Sequence, residues 1–349
     1  MRACGLVLCV LLLGGCSTTT DPSYYWQSVS GHLRMVGAAR PVDDWVADGR
    51  TSEALRAKLR QAQQLRRFAV TELGLPDNNS YTRYADLQRR AAVWNVVAAP
   101  DDELKLKQWC FLALGCVGYR GYFDEAQARA FAEQVRHAEP DVEVGVYPVP
   151  AYSTLGWTNW MGGDPLLNTF LGYPEGELAR LLFHELAHQV VYVRDDTVFN
   201  ESFATAVERL GGARWQATAS EAARAEYARF DERRQQFRAL ARATRERLQT
   251  AYALATRAER LAAKQRAMAD FRQRYDALKA QWNGFPGYDP WASQANNALF
   301  AAQAAYDELV PGFEALFERE GRDFTRFYDA VRALARLPKD ERRAALGSR

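Results

Sequence analysis

His184-Glu185-Leu186-Ala187-His188 opens the stretch on which the reading of this chain turns: HELAHQVVYVRDDTVFNESFATAVERLG, residues 184–211. The spacing predicts a helix over residues 176–191, with Leu182, Phe183, Leu186, Ala187, Val190 and Val191 covering most of its circumference. A helix that apolar lies inside a protein, so its narrow polar stripe must find partners. Residues four apart on a helix stand one turn apart on the same face. Both imidazoles can therefore reach one metal ion, and Glu185 sits beside them, able to hydrogen-bond a water on that metal. The plainer alternative is a buried cluster in which neighbouring carboxylates satisfy both histidines.

This is the H-E-x-x-H pattern of zinc hydrolases, and it takes two of the chain's four histidines. Tetrahedral zinc in a hydrolase needs a third protein ligand and one open position. Downstream stands Phe199-Asn200-Glu201-Ser202-Phe203-Ala204, at the start of a second helix expected over residues 200–210 and ended by Gly211-Gly212. Two antiparallel helices joined by the short loop could bring Glu201 to the metal. Asp195, Asp196 and Glu208 are its rivals. The aspartates fall in the loop and read as turn formers or as partners that orient a ligating histidine. Glu208 lies two turns beyond Glu201 on the same face. It could brace the site, contact substrate or sit as an ordinary surface carboxylate.

Working outward, helical spacing runs from Thr51 to Gly74 and again over residues 124–138. Strands are expected between Tyr81 and Pro100, near Trp109–Tyr122 and over Val142–Val149. Tyr152–Trp157 reads as an adjoining edge strand that could pair with an extended peptide. Arg214 to Asn283 contains neither Gly nor Pro. As one helix it would run roughly 105 Å, so two long helices folded as a hairpin are expected, with Leu261, Met268, Phe271, Tyr275, Leu278 and Trp282 along the seam. Two or three further helices follow. The fold class is α+β, with a small N-terminal sheet and a mostly helical C-terminal half.

The chain has 349 residues, 48% hydrophobic and 25% charged, which is the composition of a folded globular protein. Its 45 basic and 43 acidic residues leave a net charge of +2, which offers no electrostatic basis for nucleic-acid binding. Residues 1–15 read as a signal peptide: Arg2, then the apolar run Gly5–Leu13, far short of the ~20 residues that span a bilayer. Leu13-Gly14-Gly15-Cys16 resembles a bacterial lipobox, which implies cleavage before Cys16 and lipid on its thiol. Ser17, rather than Asp, implies the outer membrane, facing the periplasm. Residues 16–50 then read as anchor, tether and an irregular lead-in, 51–212 as the catalytic region and 213–349 as a helical region. Of five cysteines, Cys4 and Cys9 leave with the signal and Cys16 carries lipid. Cys110 and Cys116 remain, an even pair in an oxidising compartment, and a disulfide between them is expected.

The stretch 184–211 resembles the gluzincin metallopeptidases, in which an N-E-x-x-A helix supplies the third ligand. More closely, the chain is similar to a bacterial lipoprotein family of putative zinc aminopeptidases. The likeness covers nearly all of the mature chain and is densest over residues 80–212. It includes Trp109-Cys110, Tyr119-Arg120-Gly121-Tyr122-Phe123, Ala151–Trp157, Asp164-Pro165-Leu166-Leu167 and Asn296-Asn297-Ala298. The resemblance implies a zincin-like catalytic domain, zinc on His184, His188 and Glu201, Glu185 as the base that activates zinc-bound water, and a peptide substrate. Two departures stand out: the spacer before the third ligand is shorter than in the well-studied aminopeptidases, and no Gly-x-Met-Glu-Asn segment is present. Glu208 and Asp164 are the carboxylates left to meet a substrate ammonium, and Tyr192, Tyr227, Tyr288 or Tyr306 could steady an oxyanion. Competing readings are an envelope scaffold that binds a protein partner through the helical arm, with a structural metal, and a zinc hydrolase of peptidoglycan cross-links.

Overall fold

The computed structural model describes residues 21–111, 115–154, 156, 159–304 and 308–347. The expected signal peptide, Cys16 and the start of the tether lie outside them, as do Tyr306, Leu155 and Trp157. No helix among the described residues is long and apolar enough to cross a membrane.

Where an irregular lead-in was expected, a helix spans Pro22–Gly37. Asp21 caps it by accepting the Ser23 N–H, and Pro22 opens it, a position where the missing N–H costs nothing. Tyr24 fixes it in place, stacked on Phe111 and edge-on to Tyr122.

The β-structure is small. Val93–Pro100 is the centre of an antiparallel three-stranded sheet, between Arg120–Tyr122 and Val142–Val149. Both its faces are covered. Trp94, Val96 and Ala98 meet Ala128, Ala132 and Val135 of the Glu125–Ala138 helix, while Val97 and Ala99 meet Ala298 and Leu299. This explains why the strand reads as almost continuously apolar. Trp109–Phe111 and Gly115–Val117 form a hairpin in which Cys110 stands opposite Cys116, and the two are disulfide-bonded, as expected.

The main core gathers helices from both ends of the chain. Leu59, Ala62 and Leu65 of the Glu53–Thr71 helix pack with Leu178, Leu182, Phe183 and Leu186, and with Phe199, Phe203 and Val207. The Val310–Arg319 and Phe324–Ala335 helices return to this core after the arm, with Phe313 5.2 Å from Phe199 and Phe327 6.0 Å from Phe203. Each such fully buried Phe contributes on the order of 1.5–3 kcal/mol. The expected hairpin is Glu221–Tyr252 and Arg257–Gln281, the second helix opened by a Thr256/Glu259 capping box. Met268, Phe271, Tyr275 and Trp282 are buried along its seam.

Two segments that frame the site run side by side. Tyr81 N–H donates to the Asp164 carbonyl at 2.6 Å, Asp164 N–H donates to Ser80 Oγ at 3.2 Å, and Tyr84–Ala85 then pairs in parallel with Leu166–Leu167. The edge strand expected over Tyr152–Trp157 is not seen among its described residues: Tyr152–Thr154 is irregular, held by the Asp164 carboxylate, which accepts the Thr154 N–H and hydroxyl. Gly163 permits the close approach, with φ +68° and space so tight that a Cβ would stand 2.5 Å from the Ser80 nitrogen. Gly163→Ala is expected to lose about 1–3 kcal/mol in urea unfolding. A loss within error of zero would mean the two segments are not apposed in this way.

Candidate metal centre

The motif helix spans Glu175–Ala187, with Glu175 and Glu177 favourably placed in its first turn. It is shorter than its apolar pattern suggests. His188 is its C-cap, still in helical conformation, so the one-turn relation to His184 survives. Tighter turns then close the end, Gln189 N–H to Leu186 O at 3.1 Å and Val190 N–H to Ala187 O at 2.9 Å.

The partner helix spans Thr197–Gln216, longer at both ends than expected. Asp196 caps it, accepting the Phe199 N–H. Gly211 and Gly212 do not stop it. They admit neighbours instead: a Cβ on Gly211 would stand 2.6 Å from Leu73 Cδ1, and one on Gly212 3.3 Å from Arg180 Cγ. Asn200 clips the intervening loop, its side chain accepting the Val193 N–H at 2.8 Å and donating to the Val193 carbonyl at 2.7 Å. With the loop fixed, Glu201 emerges at the start of the second turn, not the first as expected, facing the histidines.

Three atoms converge there. His184 Nε2 lies 3.2 Å from His188 Nε2 and 3.3 Å from Glu201 Oε2, and His188 Nε2 lies 3.7 Å from Glu201 Oε2. Zinc bonds of about 2.0–2.2 Å at the tetrahedral angle would set neighbouring ligand atoms roughly 3.3–3.6 Å apart. The triangle therefore has the right size, its donors are the right kind, and these three residues could hold a metal ion. The rival aspartates are engaged elsewhere. Asp195, at φ +63°, accepts the Cys116 N–H at 2.6 Å, and Asp196 also meets Arg342 at 3.2 Å.

Glu208 braces the site. Its Oε2 meets His184 Nδ1 at 2.9 Å, and its Oε1 accepts from Arg180. Arg180 continues to the Tyr227 hydroxyl at 2.9 Å and to Asp231 at 3.2 Å, both on the arm. A further pair, Arg234 with Glu177 at 2.6 Å, ties the arm to the motif helix. Burial would lower the His184 pKa, but Glu201 and Glu208 outweigh it and hold it at about 10. Burial would raise Glu208, and Arg180 and His184 overcome it to hold the carboxyl well below its ordinary range. His188 has no such brace among the described residues, and burial lowers it to about 4. Arg180 escaped notice in the sequence, although it stands one turn before His184 on the same helical face. A cavity of about 1440 Å³ lies beyond Arg180, against the arm, and none of His184, Glu185, His188 and Glu201 lines it.

Glu185 is lifted by burial to about 7, with His184 opposing and Glu201 and Asp164 adding. Its charge is felt by Tyr81, a residue with no motif to announce it. Its neighbour Ser80 accepts from Gln189 Nε2 at 3.1 Å, just beyond the C-cap of the motif helix. Tyr81 is only 1% exposed, stands at φ +63° and has a buried hydroxyl without a hydrogen-bond partner among the described residues. After burial, the carboxylate of Glu185 is the chief influence on that hydroxyl, followed by Asp164.

The remaining candidates separate clearly. Asp164 is wholly buried and Glu208 is held between Arg180 and His184, so neither stands open to a substrate ammonium. Tyr227 belongs to the Arg180 relay, and Tyr288 stacks on Phe237 of the arm at 4.2 Å. Tyr192 does feel the Glu201 carboxylate, as do Tyr119 and Tyr147, which sequence reasoning missed. Register offered a signal for Tyr147: it stands directly opposite Asn95, the one polar residue of the central strand.

Removing a carboxylate that orients a ligating histidine typically weakens metal binding 10–100-fold. Glu208→Gln should weaken zinc affinity about that much in competition with a chromophoric chelator, while far-ultraviolet dichroism stays unchanged. Unaltered affinity would show that Glu208 does not orient His184.

Comparison with curated proteins and with solved structures returns no match. One family model, described as "Putative aminopeptidase", matches residues 23–346, nearly the whole chain and all of the residues just described. The chain belongs to this putative aminopeptidase family.

Proposed function

We propose that this chain is a zinc-dependent peptidase of the cell envelope, zincin-like in its catalytic core, with zinc on His184, His188 and Glu201 and Glu185 as general base. The observation that carries the reading is the triangle of ligand atoms at 3.2, 3.3 and 3.7 Å beside a buried carboxyl. Bound zinc supplies Lewis acidity and brings the pKa of water to about 7. Glu185 takes the proton from the attacking water and passes it to the leaving amine, a task that suits a carboxyl lifted to about 7. Tyr81 is assigned a positioning role: its buried hydroxyl feels the Glu185 carboxylate and has a donor to offer it during turnover. The hydroxyls of Tyr119, Tyr147 and Tyr192 are those on hand for a developing oxyanion.

Family membership supports peptide-bond hydrolysis at the level of class. The lipobox at Cys16 and the Cys110–Cys116 disulfide support an oxidising envelope compartment, with the chain held at the outer membrane by lipid. The scaffold reading has less support. Its structural zinc would take four protein ligands, usually rich in Cys, whereas three converge among the described residues. The arm is also tied to the site through Arg180 and Glu177, which suits a buttress for the metal helix.

Zinc-loaded Glu185→Gln should keep one metal per chain and lose peptide turnover about 10²–10⁴-fold. Retained turnover would remove Glu185 from the role of base. Tyr81→Phe should lower kcat about tenfold with KM unchanged, yet keep or raise Tm, because an unpartnered buried hydroxyl is itself a cost. A fall in Tm with kcat per folded molecule preserved would make Tyr81 a packing residue only.

A further inference from the structure

The Pro22–Gly37 helix is apolar on both sides. Inward, Gly31 lies against Phe123 and Met35 is buried. Outward, Pro22, Trp26, Val29, Leu33 and Gly37 follow one another at spacings of 4, 3, 4 and 4 residues, a single helical stripe without a polar side chain. Trp26 is 74% exposed, Val29 54% and Leu33 51%, and these three are the most exposed large apolar residues of the helix. Exposed apolar residues scattered singly need no explanation, but a continuous stripe on one helix marks a surface that is covered in use. Arg34, exposed beside Leu33, could keep its charge at a polar headgroup.

The chain leading to the helix says what covers it. Six peptide steps lead from Cys16 to Pro22. Fully extended they reach roughly 20 Å, so a lipid on Cys16 confines the start of the helix to the bilayer surface. Trp at such a surface places its ring among the headgroups, and an amphipathic helix lying there buries its apolar face about 5–10 Å deep.

We infer that the Trp26-Val29-Leu33 stripe of the first helix lies in the lipid surface of the membrane, as a second contact beside the anchor. This rests on the lipoprotein reading of Cys16. The contact sets the orientation of the whole catalytic body, because the inward face of the same helix is packed on the central sheet through Tyr24 and Gly31.

The test uses the mature chain carrying its lipid, in vesicles of phosphatidylethanolamine and phosphatidylglycerol brominated near the headgroup end of the acyl chains. Part of the tryptophan emission should be quenched, and that part should be missing in Trp26→Phe. Equal quenching in both proteins would overturn the inference. So would self-association without vesicles that is abolished by Val29→Glu, since a second copy would then cover the stripe. The mass of the mature chain reports separately whether Cys16 is lipidated. A soluble form starting at Ser17, at high vesicle concentration, reads the stripe even if it is not.

Discussion

Two imidazoles and a carboxylate turn their ligand atoms toward one another across less than 4 Å, between helices that are otherwise packed with Leu, Phe and Ala. Burying polar groups this way is costly unless each finds a partner, and two facing imidazole nitrogens satisfy each other only if one carries a proton. A divalent metal would resolve the conflict by taking a lone pair from each of the three. Much of the surrounding structure serves to hold that convergence. Asn200 fixes the loop that delivers Glu201, Glu208 fixes the ring of His184, and Arg180 fixes Glu208.

The same constraint explains the arm. Arg180 is a buried cation in the motif helix, and its charge is balanced by Glu208 on one side and Asp231 on the other. Asp231 and Tyr227 belong to the first arm helix, and Arg234 on the next turn pairs with Glu177. The base of the hairpin is thus part of the electrostatic frame of the site. Its seam of Met268, Phe271, Tyr275 and Trp282 packs the two arm helices together.

Much of this was legible in the sequence, for local reasons. The one-turn relation of His184 and His188 is a property of any helix. A run from Arg214 to Asn283 without Gly or Pro has few alternatives to helix. Two cysteines six residues apart suit a hairpin. What was not legible depends on tertiary contact. Gly211-Gly212 looked like a stop but serves close packing against Leu73 and Arg180. Tyr152–Thr154 looked like a strand until Asp164 claimed its donors. Tyr81 carries no motif, and only the fold brings its buried hydroxyl, without a partner among the described residues, under the influence of Glu185. The first helix was missed for a different reason. Asp21-Pro22 is a legible cap, but apolar residues on both faces hide the periodicity.

The most direct test of the account is X-ray absorption at the zinc edge on protein loaded with one equivalent of zinc. The account predicts a four-coordinate shell of nitrogen and oxygen at about 2.0–2.2 Å, with the outer-shell signature of two imidazoles and no sulfur. Failure to bind one equivalent, or a shell with one imidazole or none, would contradict it and leave the motif a buried polar cluster.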